Sequence, residues 1–263
     1  MPYYQKITYS GPVLEVERYY ATDGGRPIGS RNAEASTKTQ EEINDAQSWR
    51  KLWRLLQCNF SRKNGDLILT LKFFRWVTAE EAKKEYERFL KKVRAIRKKR
   101  GLVDLKYIIV KEVQSGRQHA HLVTNAGITI EELTAIWAVG DVWGAVVSDT
   151  NNYKELASYL NRQHKPRKNS GSDENAKEPR KPNKRRWTCS RNLVKPHVKK
   201  RECRPVTMRT MPAIPPGHKG YTLMPDFERG ADRFGNLWIR WMCIKREEVL
   251  DQCLNHKSKR KVE

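Results

Sequence analysis

The chain has 263 residues, with 53 Lys and Arg against 30 Asp and Glu, which gives a formal net charge of +23 and a pI near 9.9. A surface this basic attracts polyanions, and nucleic acid is its default partner. Charged residues make up 32% of the chain and hydrophobic residues 38%, so we expect a soluble protein. No apolar run approaches the roughly 18–20 residues of a membrane span, which argues against a membrane partner.

The N-terminal sequence lacks the apolar region of a signal peptide, so we expect a cytoplasmic protein. The chain has five cysteines, an odd number, and no CxxC pair. These features favour reduced thiols over a disulfide framework.

Residues 1–58 are predicted to form an N-terminal arm and an amphipathic helix. Tyrosine pairs in the first twenty residues are compatible with a short β-hairpin or with an arm that stacks nucleic-acid bases. The helix is predicted over residues 39–58, where apolar residues recur at three- and four-residue steps: Ile43, Ala46, Trp49, Leu52, Trp53 and Leu56.

Residues 59–165 carry alternating strand and helix patterns that predict one α+β domain. In chain order we expect strand 67–75, a helix capped by Thr78 that runs to about residue 100, strand 105–112, strand 118–124, helix 130–138 opened by Thr129, strand 142–147, and a helix from about 152 to 162 capped by Asp149 or Thr150. A β-α-β-β-α-β-α order is most simply satisfied by an antiparallel sheet with helices packed on it, in a ferredoxin-like arrangement.

The remainder of the chain is predicted as a linker and a second region. Residues 166–186 are rich in Lys, Arg, Pro and Ser with almost no apolar residue, which predicts a disordered basic linker. Residues 187–263 form a basic C-terminal region with a strand at 237–244.

Two histidines in the strand 118–124 predict a metal site. His119 and His121 stand two residues apart, so both imidazoles point to the same face of a strand. Glu112 ends the preceding strand, and the short hairpin brings its carboxylate close to them. A divalent ion binds imidazole nitrogen and carboxylate oxygen and polarises a phosphoryl oxygen. Taken alone, a His-x-His pair more commonly marks two surface histidines.

The last predicted helix of this domain offers a nucleophile. Tyr153 and Tyr159 are six residues apart, about 240° around a helix, so they cannot both face one metal. Tyr159 and Arg162 are three apart and share a face. A phenol can attack phosphorus while a cation steadies the developing charge. Without the histidines, Tyr159 would be read as an ordinary core tyrosine.

Three segments resemble the motifs of the HUH endonuclease superfamily, specifically rolling-circle replication initiators of phages and plasmids such as the phage gene II protein. They are Ile68-Leu-Thr-Leu-Lys72, Gly116-Arg-Gln-His119-Ala-His121 and Leu156-Ala-Ser-Tyr159-Leu-Asn-Arg162. The resemblance covers about residues 67–165. The segment from Arg186 to Pro196 also resembles a stretch that follows the tyrosine motif in phage-type replication proteins.

This resemblance implies an enzyme of a mobile element in a bacterial host. It would nick single-stranded origin DNA through a 5′-phosphotyrosine bond, with Mg²⁺ or Mn²⁺ as cofactor and host helicase and polymerase as partners. Arg162 stands where the family usually has lysine, and position 155 is Glu, so the chain resembles a single-tyrosine enzyme.

Several other classes were weighed against this one. HUH chemistry also serves relaxases and transposases. A non-catalytic nucleic-acid-binding protein on a ferredoxin-like sheet would share the charge and the fold. A zinc module built on Cys189, His197 and Cys203 has spacings that fit no compact finger. The sequence has no Walker-type ATP-binding loop, which argues against a fused helicase.

Overall fold

The computed structural model describes residues 3–20, 38–114, 117–148, 153–162, 187–204, 208–231 and 236–246. Within these residues the chain forms four helices and ten strands. The predicted linker 166–186 lies outside the described residues, and so do both candidate caps of the last helix, Asp149 and Thr150.

The chain folds into two compact units. The central unit comprises Ala35–Leu193, and the terminal unit combines Met1–Glu34 with Val194–Glu263. This division differs from the predicted domains, which joined the N-terminal arm and helix in residues 1–58. The first helix contacts the last helix of the central unit, where the Trp49 indole donates to Ser158 Oγ at 3.0 Å. The strands before that helix instead pair with strands near the end of the chain.

The central unit has the predicted ferredoxin-like β-α-β-β-α-β order, so the α+β fold class is confirmed. Its sheet is antiparallel in the order β6-β3-β5-β4-β7. The strands are β3 (Leu67–Lys72), β4 (Tyr107–Gln114), β5 (Arg117–Thr124), β6 (Val142–Val146) and β7 (Thr188–Cys189). Strand β7 was not predicted, because two residues carry no recognisable period.

Two helices cover one face of this sheet. They are α2 (Ala79–Lys99) and α3 (Ile130–Trp137), and each begins with a capping box, formed by Thr78 with Glu81 and by Thr129 with Glu132. Alternate residues of β3 point into the core beneath them: Leu67, Leu69 and Leu71. Each such leucine stabilises the fold by about 2 kcal/mol. The predicted helical stripe of α2 is buried here, joined by Arg97, which donates to the carbonyls of Val103 and Ala126.

The remaining helices of the central unit are α1 (Lys38–Asn59) and α4 (Lys154–Arg162), which contact each other. Strand β3 ends earlier than the predicted residue 75. Phe73 turns into the core, whereas Phe74 and Trp76 project into solvent, so the apolar run does not continue as a strand.

The terminal unit is a second antiparallel sheet, in the order β8-β1-β2-β10-β9. Its strands are β1 (Tyr3–Ser10), β2 (Val13–Tyr20), β8 (His197–Cys203), β9 (Tyr221–Ala231) and β10 (Leu237–Lys245). The N-terminal hairpin and the strand at 237–244 are confirmed. Strands β8 and β9 were not predicted, because β8 is exposed along nearly its whole length and β9 contains Pro225 and Gly230.

Gly140 offers a test of the packing between β3 and the residues before β6. A Cβ at this position would lie 1.6 Å from the Lys72 carbonyl oxygen, which is backbone and cannot move aside. We expect Gly140→Ala to lower the free energy of unfolding by at least about 2 kcal/mol, measured by urea denaturation. Gly220→Ala is the control, because no atom lies within 4 Å of its added Cβ. Equal denaturation midpoints for the two variants would contradict this packing.

Candidate active site

The alternation of β5 places both histidines on the sheet face opposite α2 and α3. His119 lies across from Lys72 on β3 and from Glu112 on β4. His121 lies across from Thr70 on β3. Because directly opposite residues in an antiparallel pair share a face, these side chains converge on one area of the sheet.

The three predicted metal ligands come together in the structure. Glu112 Oε2 lies 3.0 Å from His119 Nε2 and 3.5 Å from His121 Nε2. The ligand atoms of the three residues all lie within 4.8 Å of one another, and both histidines are buried. Two imidazole nitrogens and one carboxylate oxygen form a possible metal-binding triad, suited to a divalent ion such as Mg²⁺ or Mn²⁺.

The charge state of Glu112 suits a ligand. Burial raises its pKa, but hydrogen bonds and the charges of His119 and His121 lower it further, and the net result is a pKa of about 2. The carboxylate is therefore ionised at neutral pH, which is the form that binds a cation.

Thr70 holds His121 from the other side. Its Oγ1 lies 3.1 Å from His121 Nδ1. When Nδ1 carries the proton and donates it to Thr70, the lone pair of Nε2 is available on the side of Glu112. The sequence contained this residue in the Thr-Leu motif but gave it no role. The signal that identifies it is the strand register, which places it directly opposite His121.

Tyr159 of α4 meets the triad. Its Oη lies 3.3 Å from His121 Nε2, and the two rings stand 5.0 Å apart at 71°. Tyr159 is 47% exposed, so a substrate can reach the phenol. Arg162 is the last residue of α4, and its side chain lies outside the described part of the structure.

Tyr153 is placed differently from the prediction. It precedes α4 instead of lying within it, and its backbone has a φ of 58°, so the helical-wheel argument does not apply to it. The side chain is buried, and its Oη donates to the Phe60 carbonyl at 2.8 Å. Its phenol is thus engaged with the backbone after α1.

The zinc-module alternative has no support in the described residues. Cys189 belongs to β7 of the central unit, whereas His197 and Cys203 stand at opposite ends of β8 in the terminal unit. Six residues along a strand span about 20 Å, too far for two ligands of one ion. Within the described ranges, three or more metal-ligating side chains meet at Glu112, His119 and His121 alone.

Residues 66–164 match the family model described as replication-associated protein ORF2/G2P. This segment runs from the start of β3 to the end of α4, and it contains the triad, Thr70 and Tyr159. The match supports a replication initiator, a class that implies DNA binding. No curated protein and no solved structure matches the chain. Among the helices described, none is both long and apolar enough to span a membrane.

The contact between Thr70 and His121 leads to a test of metal binding. We expect Thr70→Val to weaken Mn²⁺ binding by about tenfold, because partners of this kind orient a ligating imidazole. Isothermal titration calorimetry with Mn²⁺ measures the effect. Thr70→Ser keeps the hydroxyl and should bind nearly as the unaltered protein does. Equal affinity in the Val and Ser variants would show that Thr70 does not position His121.

Proposed function

We propose that this protein initiates rolling-circle replication by nicking and rejoining single-stranded DNA at an origin. Tyr159 would be the nucleophile, and Glu112, His119 and His121 would hold Mg²⁺ or Mn²⁺. The observation that carries the proposal is the position of the Tyr159 phenol, 3.3 Å from a nitrogen of the triad. The match of residues 66–164 to replication-associated proteins supports the replication role.

The triad fits the cofactor by its donor chemistry. A bound divalent ion would polarise a phosphoryl oxygen of the scissile phosphate. Three protein ligands leave coordination positions for substrate oxygens and water. His121 contacts both Thr70 and Tyr159, so the same imidazole relates the ligand set to the nucleophile.

The covalent step belongs to Tyr159. Its phenol loses a proton to solvent, its oxygen forms a bond to phosphorus, and the bond between phosphorus and the 3′ oxygen breaks. The 3′ oxygen takes up a proton and leaves as a hydroxyl group. Lys72 is exposed on the same sheet face, directly opposite His119, and Arg162 follows Tyr159 by three residues on α4. We assign these cations to the charge that develops on the phosphate.

The products explain the biological role. The free 3′-hydroxyl primes a host polymerase, while a host helicase separates the strands. The 5′ end stays on Tyr159 as a phosphotyrosine, which conserves the energy of the phosphodiester bond. A later attack by a 3′-hydroxyl on this bond rejoins the displaced strand without ATP and releases the phenol.

The assignment of the nucleophile is tested with single-stranded DNA from the element's own origin region and Mn²⁺. The unaltered protein should form a covalent adduct, detected as a band shift on a denaturing gel. Tyr159→Phe should abolish the adduct because it removes the attacking oxygen. Tyr153→Phe is the matched control. It loses one buried hydrogen bond, at a cost of about 1 kcal/mol, and should still form the adduct.

An adduct that persists in Tyr159→Phe would rule out this nucleophile. Absence of an adduct with every origin strand, together with retained DNA binding, would instead indicate a non-catalytic binding module.

Metal removal gives an independent test of the triad. EDTA should abolish adduct formation, and excess Mn²⁺ should restore it. His119→Ala removes one ligand, and we expect it to lower the rate of adduct formation by at least tenfold at limiting Mn²⁺. The rate is measured by stopping the reaction at intervals on a denaturing gel. Full activity in EDTA would show that the triad does not act through a metal.

A further inference from the structure

Trp143 is an exposed tryptophan on the sheet face that carries the candidate active site. It lies directly opposite Thr70, on the strand next to β3, and is 62% exposed. Thr70 in turn lies opposite His121. Trp143 and His121 are therefore separated by two inter-strand spacings, about 10 Å.

This face of the sheet is covered on one side and open on the other. Over β4 and β5 its residues are fully buried, as shown by Ile108, Val110 and Val123. Over β6 it is open, since Trp143 is mostly exposed and Ala145 is only half-buried. A polymer that reaches Tyr159 from the β6 side would pass along this open strip.

Two more aromatic residues follow the end of β3. Phe74 is 68% exposed and Trp76 is 64% exposed. The Phe74 amide donates to the Val139 carbonyl, which places this segment beside the residues that precede β6. Lys72 and Arg75 are exposed in the same stretch and supply positive charge between the rings.

We propose that Phe74, Trp76 and Trp143 form an aromatic surface that stacks unpaired bases of the DNA strand leading to Tyr159. Lys72 and Arg75 would contact its phosphates. The identity of the strand as the nicked DNA rests on the proposed function, whereas the stacking itself rests on the exposed rings and their charged neighbours.

Single-stranded DNA fits this surface better than a duplex or a protein. Ring faces stack on bases only when those bases are unpaired and can be splayed out. The cations among the rings complement a phosphate backbone, and the net charge of +23 points to the same partner. In a purely structural role these rings would be buried, because exposing large apolar groups to water is unfavourable.

The test is the affinity for fluorescein-labelled oligothymidylate, measured by fluorescence anisotropy at fixed salt and in EDTA. All variants are made in the Tyr159→Phe background, so that no adduct forms. We expect Trp143→Ala to raise the Kd by about 5- to 150-fold, which corresponds to the loss of one stacked base. Trp143→Phe keeps a ring and should retain most of the affinity. Phe227→Ala removes a 38% exposed aromatic ring from the terminal unit and should leave the Kd unchanged.

Two results would overturn the inference. In one, Trp143→Ala binds oligothymidylate as tightly as its parent, which would leave a protein partner as the occupant of the surface. In the other, Trp143→Phe loses as much affinity as Trp143→Ala, or binding to duplex DNA falls equally. Thermal unfolding of each variant identifies any loss that comes from misfolding, and Trp143→Phe then decides the question.

The inference and the proposed function fail separately. Loss of oligothymidylate affinity in Trp143→Ala supports the aromatic surface even if no adduct is ever detected. Adduct formation by the protein with Tyr159 intact supports the proposed function even if Trp143→Ala binds normally.

Discussion

The side-chain alternation of β5 is the constraint on which the candidate active site depends. Residues 119 and 121 share a face because the strand has a period of two, and that face lies away from α2 and α3. A slip of one residue would turn both imidazoles into the leucine core and bring Ala120 and Leu122 to the site. The apolar residues between and beside the histidines therefore fix the register that the chemistry requires.

The polar cluster on this face is stable because its members satisfy one another. An ionised carboxylate in a partly buried position is costly unless it accepts hydrogen bonds, and Glu112 accepts them from His119 and His121. His121 is in turn enclosed by Thr70 and Tyr159, which lie near its two ring nitrogens. The imidazole is thus oriented by protein contacts alone, a preorganised arrangement that lowers the cost of binding a cation.

Local patterns were enough to predict the central unit, but longer-range relations were not. The β-α-β-β-α-β order and the meeting of Glu112 with the histidines follow from periods and from one tight hairpin. The contact of Thr70 with His121 required the pairing register between β3 and β5. Strand β8 has no buried face to give it a period, and it pairs with β1, where Tyr4 and Glu202 touch across 198 residues of sequence. The positive φ of Tyr153 has no signature in a tyrosine.

The terminal unit is interrupted in sequence by the whole central unit. Strand β2 ends at Tyr20, and its neighbour β10 begins at Leu237. On the ribosome the β1–β2 hairpin is made first, and both strands that flank it are made last. A lone two-stranded hairpin is only marginally stable in water. The central unit, whose strands are all complete by Cys189, can therefore fold during translation while the hairpin waits with both edges unpaired.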